Sequence, residues 1–419
     1  MRDTAALILA DTLAAILIGH AEPEVAAITA RHATGGVPLL GSRAAAPPPM
    51  AAFLTGLAGT AVELDEGNYA AGGHPAIHAI APALAEVARR PTSGRALLDA
   101  VIAGYEAGSR VGHATRLRPA AHPHGTWGTI GAAAAVARLR GHDAARTEAA
   151  LEIAASLGLA TSATASLRGG SVRNVYAGAA AQNGMLAVDL AEAGITGEPG
   201  GIAAVFGAVI GEGFDTAAYA ASAGRAFIAE PFLKIASCCR ETQGALEAIE
   251  ALLPLDPLVD PLAIQAIEVE TFASAVLLAE RAPVAPIAGR FSIPFTIATR
   301  VVQGHAWIEA FSPAAIADPR ARALAARVTV REDAALTARL PAERVCRLRL
   351  TLADGTVRQA EAINTPGDPG RPHPDGAMRE KFRRCVEPSH GAGWARLWDL
   401  CLGIDGLADT GALFAAFRP

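Results

Sequence analysis

The hydrophobic periodicity of this chain changes near residue 235, and the change limits the folds that the chain can adopt. Up to about residue 230, Ala- and Leu-rich segments alternate with Gly and Pro turns, which predicts successive helices. The predicted helices span residues 4–19, 48–61, 75–89, 94–113, 125–140, 146–165, 174–194 and 217–229. Farther on, apolar and polar residues alternate, which predicts half-buried strands at residues 263–271, 326–332, 345–352 and 357–362.

The length of the chain predicts a division into two domains. A chain of 419 residues exceeds what one hydrophobic core usually fills, so two domains are expected. The first is an all-helical domain over residues 1–234, completed by the helical segment 385–419. The second is a smaller α+β domain over residues 235–384. The fold class is therefore predicted to be mostly α.

Composition and charge exclude several classes of function. A net charge of −5 with scattered Arg residues provides no basic surface for nucleic acid. The five cysteines and the histidines lack metal-ligand spacing, and no Gly-rich phosphate loop is present, so neither metal nor cofactor is expected. Asp3 and Asp11 interrupt the apolar N-terminus, which predicts a packing helix rather than a signal peptide or membrane span. We expect a soluble, cytoplasmic protein.

Two short stretches each place an imidazole at a predicted helix start. His74 and His122 are both followed by Pro, which suits the first position of a helix. Backbone N–H groups at a helix start attract anions and disfavour imidazolium, so a neutral imidazole there could remove a proton near a bound carboxylate. The alternative is that both pairs only begin helices, with the nearby glycines serving helix packing.

Several motifs, taken in order, resemble the MmgE/PrpD family, which contains 2-methylcitrate dehydratase, cis-aconitate decarboxylase and iminodisuccinate epimerase. The matching stretches are Val62–Asn68, Gly73–Pro75, His122–Pro123, Gly125–Gly128, Val172–Gly178, Cys238–Arg240, Arg290–Phe295, Pro366–Pro369 and Lys381–Phe382. The resemblance implies a helical domain with a smaller α+β lid, a homodimer and small di- or tricarboxylate substrates. It also implies chemistry without metal or organic cofactor.

The same resemblance nominates the site residues. His74 and His122 match the family's two active-site histidines, and Asp65 lies in the acidic stretch before the first of them. Arg173 stands where the decarboxylase and dehydratase pattern has Lys, and Phe295 where that pattern commonly has Tyr, so two possible proton donors are missing. The predicted catalytic residues are His74, His122, Arg173 and Asp65, and the predicted substrate-binding residues are Glu63, Asn68, Arg240, Arg290, Ser292 and Phe295.

These observations predict a cofactor-independent enzyme that removes a proton α to a carboxylate of a small polycarboxylate. A lyase similar to 2-methylcitrate dehydratase is the first expectation, because dehydratases are the family's commonest assignment. An epimerase or isomerase follows closely, since the donor set is altered, and a cis-aconitate-type decarboxylase is a further alternative. A non-catalytic carboxylate-binding protein is the alternative from a different class.

Overall fold

The computed structural model describes residues 1–253 and 260–419, and in it the chain divides into two compact units. The first contains residues 1–163, 172–233 and 375–419, and the second contains residues 164–171 and 234–374. The chain thus returns to the first unit at residue 375, earlier than the predicted 385. The reason is that Lys381 and Phe382 are already buried in the first unit, at 2% and 1% exposure.

Six helices of the first unit follow predicted segments closely, whereas two others were not predicted. Its elements as far as residue 163 are α1 (Arg2–Gly19), α2 (Pro23–His32), β1 (Val37–Pro38), β2 (Ala45–Ala46), α3 (Pro48–Thr60), α4 (Pro75–Val87), α5 (Gly94–Ala114), β3 (Thr115–Leu117), α6 (Gly128–Arg140) and α7 (Ala144–Ser156). They continue with α8 (Val175–Glu192), α9 (Gly201–Ala204), β4 (Gly211–Phe214) and α10 (Thr216–Ala221). The six that follow predicted segments are α1, α3, α4, α5, α6 and α8. The sequence did not predict α2, α9 or the antiparallel ribbons β1–β2 and β3–β4.

Two predicted helices were too long, because the backbone N–H groups beyond the observed helix ends donate to acceptors outside those helices. The helix predicted at 146–165 ends at Ser156, after which Leu159 N–H donates to the carbonyl of Gly125 and Ala163 N–H to that of Ala120. The helix predicted at 217–229 ends at Ala221. Beyond it, the Glu106 carboxylate accepts the backbone N–H groups of residues 227 and 228.

Small residues allow the helices of this unit to approach closely. Gly56 of α3 faces Gly178 of α8, and a Cβ atom on Gly56 would lie only 2.7 Å from the Gly178 Cα atom. Helix α1 is buried on most of its surface, as expected for a central core helix. Among the described residues no single helix is long and apolar enough to cross a bilayer, although α1 and α2 reach that length and apolarity as a pair bent by 86°.

The second unit is a four-stranded sheet with short helices. Its elements are α11 (Gln243–Leu252), β5 (Ile264–Thr271), α12 (Ala273–Val276), α13 (Pro286–Arg290), α14 (Ile293–Gln303), α15 (Pro313–Ala317), α16 (Pro319–Ala325), β6 (Val328–Glu332), α17 (Ala334–Thr337), β7 (Val345–Leu352) and β8 (Val357–Ile363). The strand order is β6-β5-β7-β8, with β5 and β6 parallel and the other pairs antiparallel. All four predicted strands are confirmed.

Alternation along the strands separates a core face from a solvent face. Leu348 and Leu350 of β7 are buried in the core of the second unit, whereas Arg347 and Arg349 between them are exposed. Asp354 and Gly355 form the turn from β7 into β8, where Gly355 has a φ of 87°. The remaining helices, α18 (Ala377–His390), α19 (Trp394–Leu402) and α20 (Gly411–Ala416), belong to the first unit.

Candidate active site

A buried acidic loop joins α3 to α4 in the first unit. Its carboxylates are almost inaccessible, with Glu63 at 2%, Asp65 at 1% and Glu66 at 1% exposure. Glu63 has a φ of 55°, in the left-handed region that non-glycine residues seldom adopt. Buried carboxylates need hydrogen-bond or charge partners, so the surroundings of this loop determine what each one does.

Glu66 and Asn68 hold the loop in place. The Glu66 carboxylate accepts from the Tyr105 hydroxyl at 2.5 Å and from the Ala76 N–H at 3.1 Å, at the start of α4. Burial raises the pKa of Glu66 to about 8, although these hydrogen bonds oppose the shift. The Asn68 amide nitrogen donates to the Phe227 carbonyl at 2.8 Å, and its oxygen accepts from Ala71 N–H at 2.9 Å. Asn68, predicted to bind substrate, therefore anchors the backbone in this structure.

His74 occupies the predicted N-cap position of α4, with Pro75 as the first helical residue. Its Nδ1 atom lies 2.6 Å from the Glu66 carbonyl oxygen and 3.1 Å from Asp65 Oδ2. Because a carbonyl oxygen can only accept, Nδ1 carries a proton, and in the neutral ring Nε2 has the lone pair. The side chain is 13% exposed. The carbonyl and the carboxylate thus orient the ring so that Nε2 keeps its lone pair.

His122 lies in a turn rather than at the N-cap where the sequence placed it. Helix α6 begins at Gly128 with Trp127 as its N-cap, because Gly125, with a φ of 83°, turns the chain before the helix starts. The backbone N–H of His124 donates to His122 Nδ1 at 3.0 Å. In neutral His122 the proton is therefore on Nε2, the opposite tautomer to His74. Burial, followed by the charge of Arg173, holds the pKa of His122 well below its ordinary value.

His124, which sequence analysis did not select, is the centre of a cluster of four histidines. Its ring centroid lies 4.5 Å from that of His74, 5.0 Å from that of His122 and 5.2 Å from that of His78. His74 and His122 are therefore close enough to act on one small substrate. The only sequence signal for His124 was its place two residues after His122 in a Gly-containing turn.

His78 occupies a core position in the cluster. It is 1% exposed, its Nδ1 donates to the His74 carbonyl at 2.8 Å, and its Nε2 accepts from Gly125 N–H at 3.3 Å. Burial lowers its pKa to about 4, so the ring is neutral and both nitrogens are occupied. His78 therefore ties the start of α4 to the turn that carries His122 and His124.

Arg173 adds a permanent positive charge to the cluster. It lies in the 3₁₀ turn before α8 at 1% exposure, with its Nη1 atom 2.7 Å from Glu63 Oε2. Its Nη2 is 3.4 Å from His124 Nε2. Since a guanidinium only donates, neutral His124 carries its proton on Nδ1, for which the described residues provide no hydrogen-bond partner. Burial and then Arg173 hold the pKa of His124 well below its ordinary value.

Asp65, His74 and His124 have ligand atoms within 4.8 Å of one another, so we tested whether they suit a metal ion. The His74 atom in this group is Nδ1, whose proton is donated to the Glu66 carbonyl, and the His124 atom is the acceptor beside Arg173. A metal would have to displace that proton and bind next to a guanidinium. The donor set therefore fits proton transfer better than metal binding.

Two of the predicted residues in the second unit have clear partners there. Arg240 donates from Nε to Asp368 Oδ1 at 3.0 Å and from Nη1 to Gln243 Oε1 at 2.8 Å, which pins the turn that contains Asp368. Ser292 Oγ accepts the Phe295 N–H at 2.9 Å and so caps α14. Both contacts hold the second unit together, and a substrate-binding role for these residues is still a prediction.

The other two residues predicted in the second unit, Phe295 and Arg290, are buried. Lys234, which the sequence analysis did not select, is buried as well. Phe295 is fully buried and packs near Phe311, with ring centroids 6.2 Å apart, so its side chain belongs to the core of the second unit. Arg290 is 4% exposed at the end of α13. Lys234 has 0% exposure. Its position inside an apolar stretch is the sequence feature that could have indicated a buried cation.

Comparisons with known proteins cover most of the chain. The model of the MmgE/PrpD N-terminal domain matches residues 1–211, and that of the MmgE/PrpD C-terminal domain matches residues 237–398. A search of curated proteins found no match. The N-terminal match includes the histidine cluster, the acidic loop and Arg173, and the C-terminal match includes Arg240, Arg290, Ser292 and Phe295.

Proposed function

Because the chain belongs to the MmgE/PrpD family, whose enzymes are of the dehydratase, decarboxylase and epimerase type, we propose that it removes a proton α to a carboxylate of a small di- or tricarboxylate. The observation that carries this proposal is the contact of His74 Nδ1 with Asp65 and the Glu66 carbonyl. The contact orients the ring and leaves its Nε2 lone pair as the base. A buried carboxylate behind an imidazole also stabilises the imidazolium that forms.

His122 and His124 have a different role in this proposal. Both rings are neutral because burial and Arg173 depress their pKa values. A neutral imidazole N–H can donate a hydrogen bond to a carboxylate oxygen as that oxygen gains charge in the enediolate. The buried His124 Nδ1–H supports this role, since a buried N–H is costly unless water or a ligand accepts from it.

Arg173 supports the binding of an anion at the same place. Its guanidinium is close to His124, and its charge cannot be removed at physiological pH. Glu63 offsets part of that charge and fixes the orientation of the guanidinium. A substrate carboxylate would therefore meet a positive field with fixed geometry, which stabilises developing negative charge without reorganisation.

The pKa values of three of the four clustered histidines favour a lyase over an epimerase. The low pKa values of His78, His122 and His124 make these rings poor proton carriers, whereas an epimerase with two bases needs an acid opposite His74. In a dehydratase-like elimination His74 takes the α proton and, as imidazolium, returns it to the β hydroxyl, so the C–H electron pair becomes the double bond and water leaves; one proton carrier is sufficient. Epimerisation and decarboxylation are the alternatives.

The proposal is tested by exchange of the substrate proton with solvent. The enzyme is incubated in D₂O with a panel of small di- and tricarboxylates, and deuterium incorporation and products are followed by mass spectrometry. We expect incorporation or product formation with at least one acid and its loss in His74→Gln. His32→Gln, which alters a histidine outside the cluster, is the matched control and should keep the activity.

The products decide among the alternatives. Loss of water identifies a lyase, loss of CO₂ a decarboxylase, and inversion at unchanged mass an epimerase. Binding of an acid in calorimetry without exchange or product for any member of the panel would instead support the non-catalytic carboxylate-binding protein. We further propose that the enzyme is a homodimer, and sedimentation at the monomer mass would contradict this.

A further inference from the structure

A buried ion pair lies behind the acidic loop. Lys381 of α18 and Asp11 of α1 have side chains only 1% and 0% exposed, with Lys381 Nζ 2.5 Å from Asp11 Oδ1. The same ammonium group donates to the carbonyl oxygen of Leu64 at 2.7 Å. The carbonyl of Leu64 is part of the peptide group that leads directly into Asp65. The ion pair is thus one peptide away from the carboxylate that orients His74.

Stability alone does not account for such a pair. Desolvating two charges costs about as much as their attraction returns, and apolar residues of similar volume often replace a buried ion pair without loss of stability. An apolar pair would fill the same space between α1 and α18. It could not donate a hydrogen bond to the Leu64 carbonyl, which is the contact that distinguishes the ion pair from its apolar equivalent.

The loop needs support of this kind because its conformation is unfavourable. Glu63 has the left-handed φ of 55°, and Asp65 is buried 3.1 Å from His74 Nδ1. The carbonyl that accepts from His74 Nδ1, that of Glu66, and the carboxylate beside it, that of Asp65, lie on adjacent residues of this loop. A shift of the Leu64 peptide would therefore move both groups together.

We propose that Asp11 and Lys381 form a positioning pair: Asp11 orients the ammonium group, and the ammonium holds the Leu64 carbonyl so that Asp65 and the Glu66 carbonyl stay in contact with His74. The inference rests on the proposed function only in so far as His74 is the base. The pair does not touch the reacting atoms. Its contribution is to hold His74 with its proton on Nδ1 and its lone pair on Nε2.

The test replaces the pair by apolar residues and observes the His74 ring directly. The double variant Asp11→Leu/Lys381→Met keeps volume and avoids leaving one buried charge uncompensated. Protein labelled with ¹⁵N-histidine is examined by long-range ¹H–¹⁵N NMR spectroscopy. The signal that is missing from the spectrum of His74→Gln is assigned to His74. We expect the fixed Nδ1–H tautomer of wild type to become a mixture of both tautomers, while the rings of His32 and His142 are unchanged.

A second buried pair provides the control. Arg140 and Glu86 form an ion pair with side chains 10% and 4% exposed, and neither contacts the acidic loop in the described part of the chain. Glu86→Met/Arg140→Met should leave the His74 tautomer as in wild type. A folded Asp11→Leu/Lys381→Met protein with an unchanged His74 signal would overturn the inference.

If the apolar pair does not fold, Asp11→Asn/Lys381→Gln takes its place, since the glutamine is too short to reach both the amide at position 11 and the Leu64 carbonyl. The same change of tautomer is expected, and its absence in that folded variant would also overturn the inference. The readout needs no substrate. If an active acid is found, we expect kcat to fall at least tenfold with KM changed less than threefold.

The two proposals can fail separately. A changed tautomer in a protein that turns over no acid contradicts the proposed function and leaves the positioning pair intact. Turnover by wild type combined with an unchanged tautomer in the folded double variants contradicts the pair and leaves the proposed function intact.

Discussion

At the scale of single residues, the histidines of the site differ in tautomer because their backbone hydrogen-bond partners differ. His74 donates from Nδ1 to a carbonyl, whereas His122 accepts a backbone N–H at Nδ1. The first ring can take a proton at Nε2, and the second can donate a hydrogen bond from there. Burial lowers the pKa of His122 and of His124, and the charge of Arg173 lowers both further.

Asp65→Asn tests the orientation of the base. The amide preserves size but removes the charge that stabilises the imidazolium, so we predict a fall in kcat of about 10²-fold or more, with little change in KM. Steady-state kinetics on the acid identified by exchange measures the effect. Asp189→Asn, at an exposed carboxylate paired with Arg140, is the matched control. Equal kcat in both variants would contradict the role of Asp65.

Chelation tests the inference that Asp65, His74 and His124 do not form a metal site. Because His74 Nδ1 is protonated and Arg173 is adjacent, we predict that turnover is unchanged after dialysis against EDTA. Activity is compared before and after dialysis, and after addition of single divalent metals. Loss in EDTA with recovery on adding one metal would show that a metal is required.

At the scale of elements, the site depends on the close contact of two helices. The acidic loop follows α3, and Arg173 directly precedes α8. The two helices touch where Gly56 meets Gly178, and a Cβ atom on Gly178 would lie 2.3 Å from the Phe53 carbonyl oxygen. Since that atom belongs to the backbone, the helices would have to separate to admit a methyl group. The contact between Glu63 and Arg173 therefore depends on glycine in this interface.

Gly178→Ala is accordingly predicted to lower the free energy of unfolding by about 1–3 kcal/mol, the usual cost of overpacking. Denaturant unfolding measures the change, and activity should fall with it as Glu63 and Arg173 move apart. Gly224→Ala is the control, because a Cβ atom there would meet nothing within 4 Å. A Gly178→Ala protein as stable as wild type would mean that α3 and α8 can adjust without strain.

At the scale of the whole molecule, the first unit is assembled from separate parts of the sequence. Residues 375–419 return to it after the second unit is complete, and Lys381 brings a charge from α18 to α1 and the acidic loop. Its interior also contains several titratable groups. Their combined protonation makes the stability of the fold depend on pH.

Four histidines with lowered pKa values, three of them buried and His20 partly buried, should make the protein less stable in acid. Burial lowers the pKa of His20 and of His78 to about 4 and holds those of His122 and His124 well below 6.5. Between pH 6.5 and 4 the unfolded chain binds more protons at these rings, so stability falls as pH falls, by about 1.4 kcal/mol per pH unit for each ring that stays neutral.

Glu66 acts in the opposite direction, because its pKa is raised to about 8 and its stabilising effect is lost as pH rises from 4.5 to 8. Four rings outweigh one carboxyl between pH 6.5 and 4. We therefore predict a lower thermal unfolding midpoint at pH 5 than at pH 7, measured by calorimetry. A midpoint that is unchanged or higher at pH 5 would contradict the neutral state of these rings.

The sequence by itself determined the elements and the family. The change of periodicity placed the helical part and all four strands of the sheet, because period 3.6 and period 2 reflect which face of an element is buried. The ordered motifs identified the MmgE/PrpD family and nominated His74, His122, Asp65 and Arg173. Local patterns failed where backbone groups had distant partners, as after Ser156, where the chain pairs with residues 120 and 125, and they also missed α2 and the ribbons β1–β2 and β3–β4.

Only the tertiary structure decided what the site residues contact. No local pattern could show that His124 lies between His74 and His122, that Arg173 pairs with Glu63, or that Lys381 holds the Leu64 carbonyl 317 residues away in sequence. Such contacts join segments far apart in the chain, and the tautomer of each histidine depends on them. The sequence therefore determines which chemical groups are present, and packing determines which nitrogen of each histidine ring carries the proton.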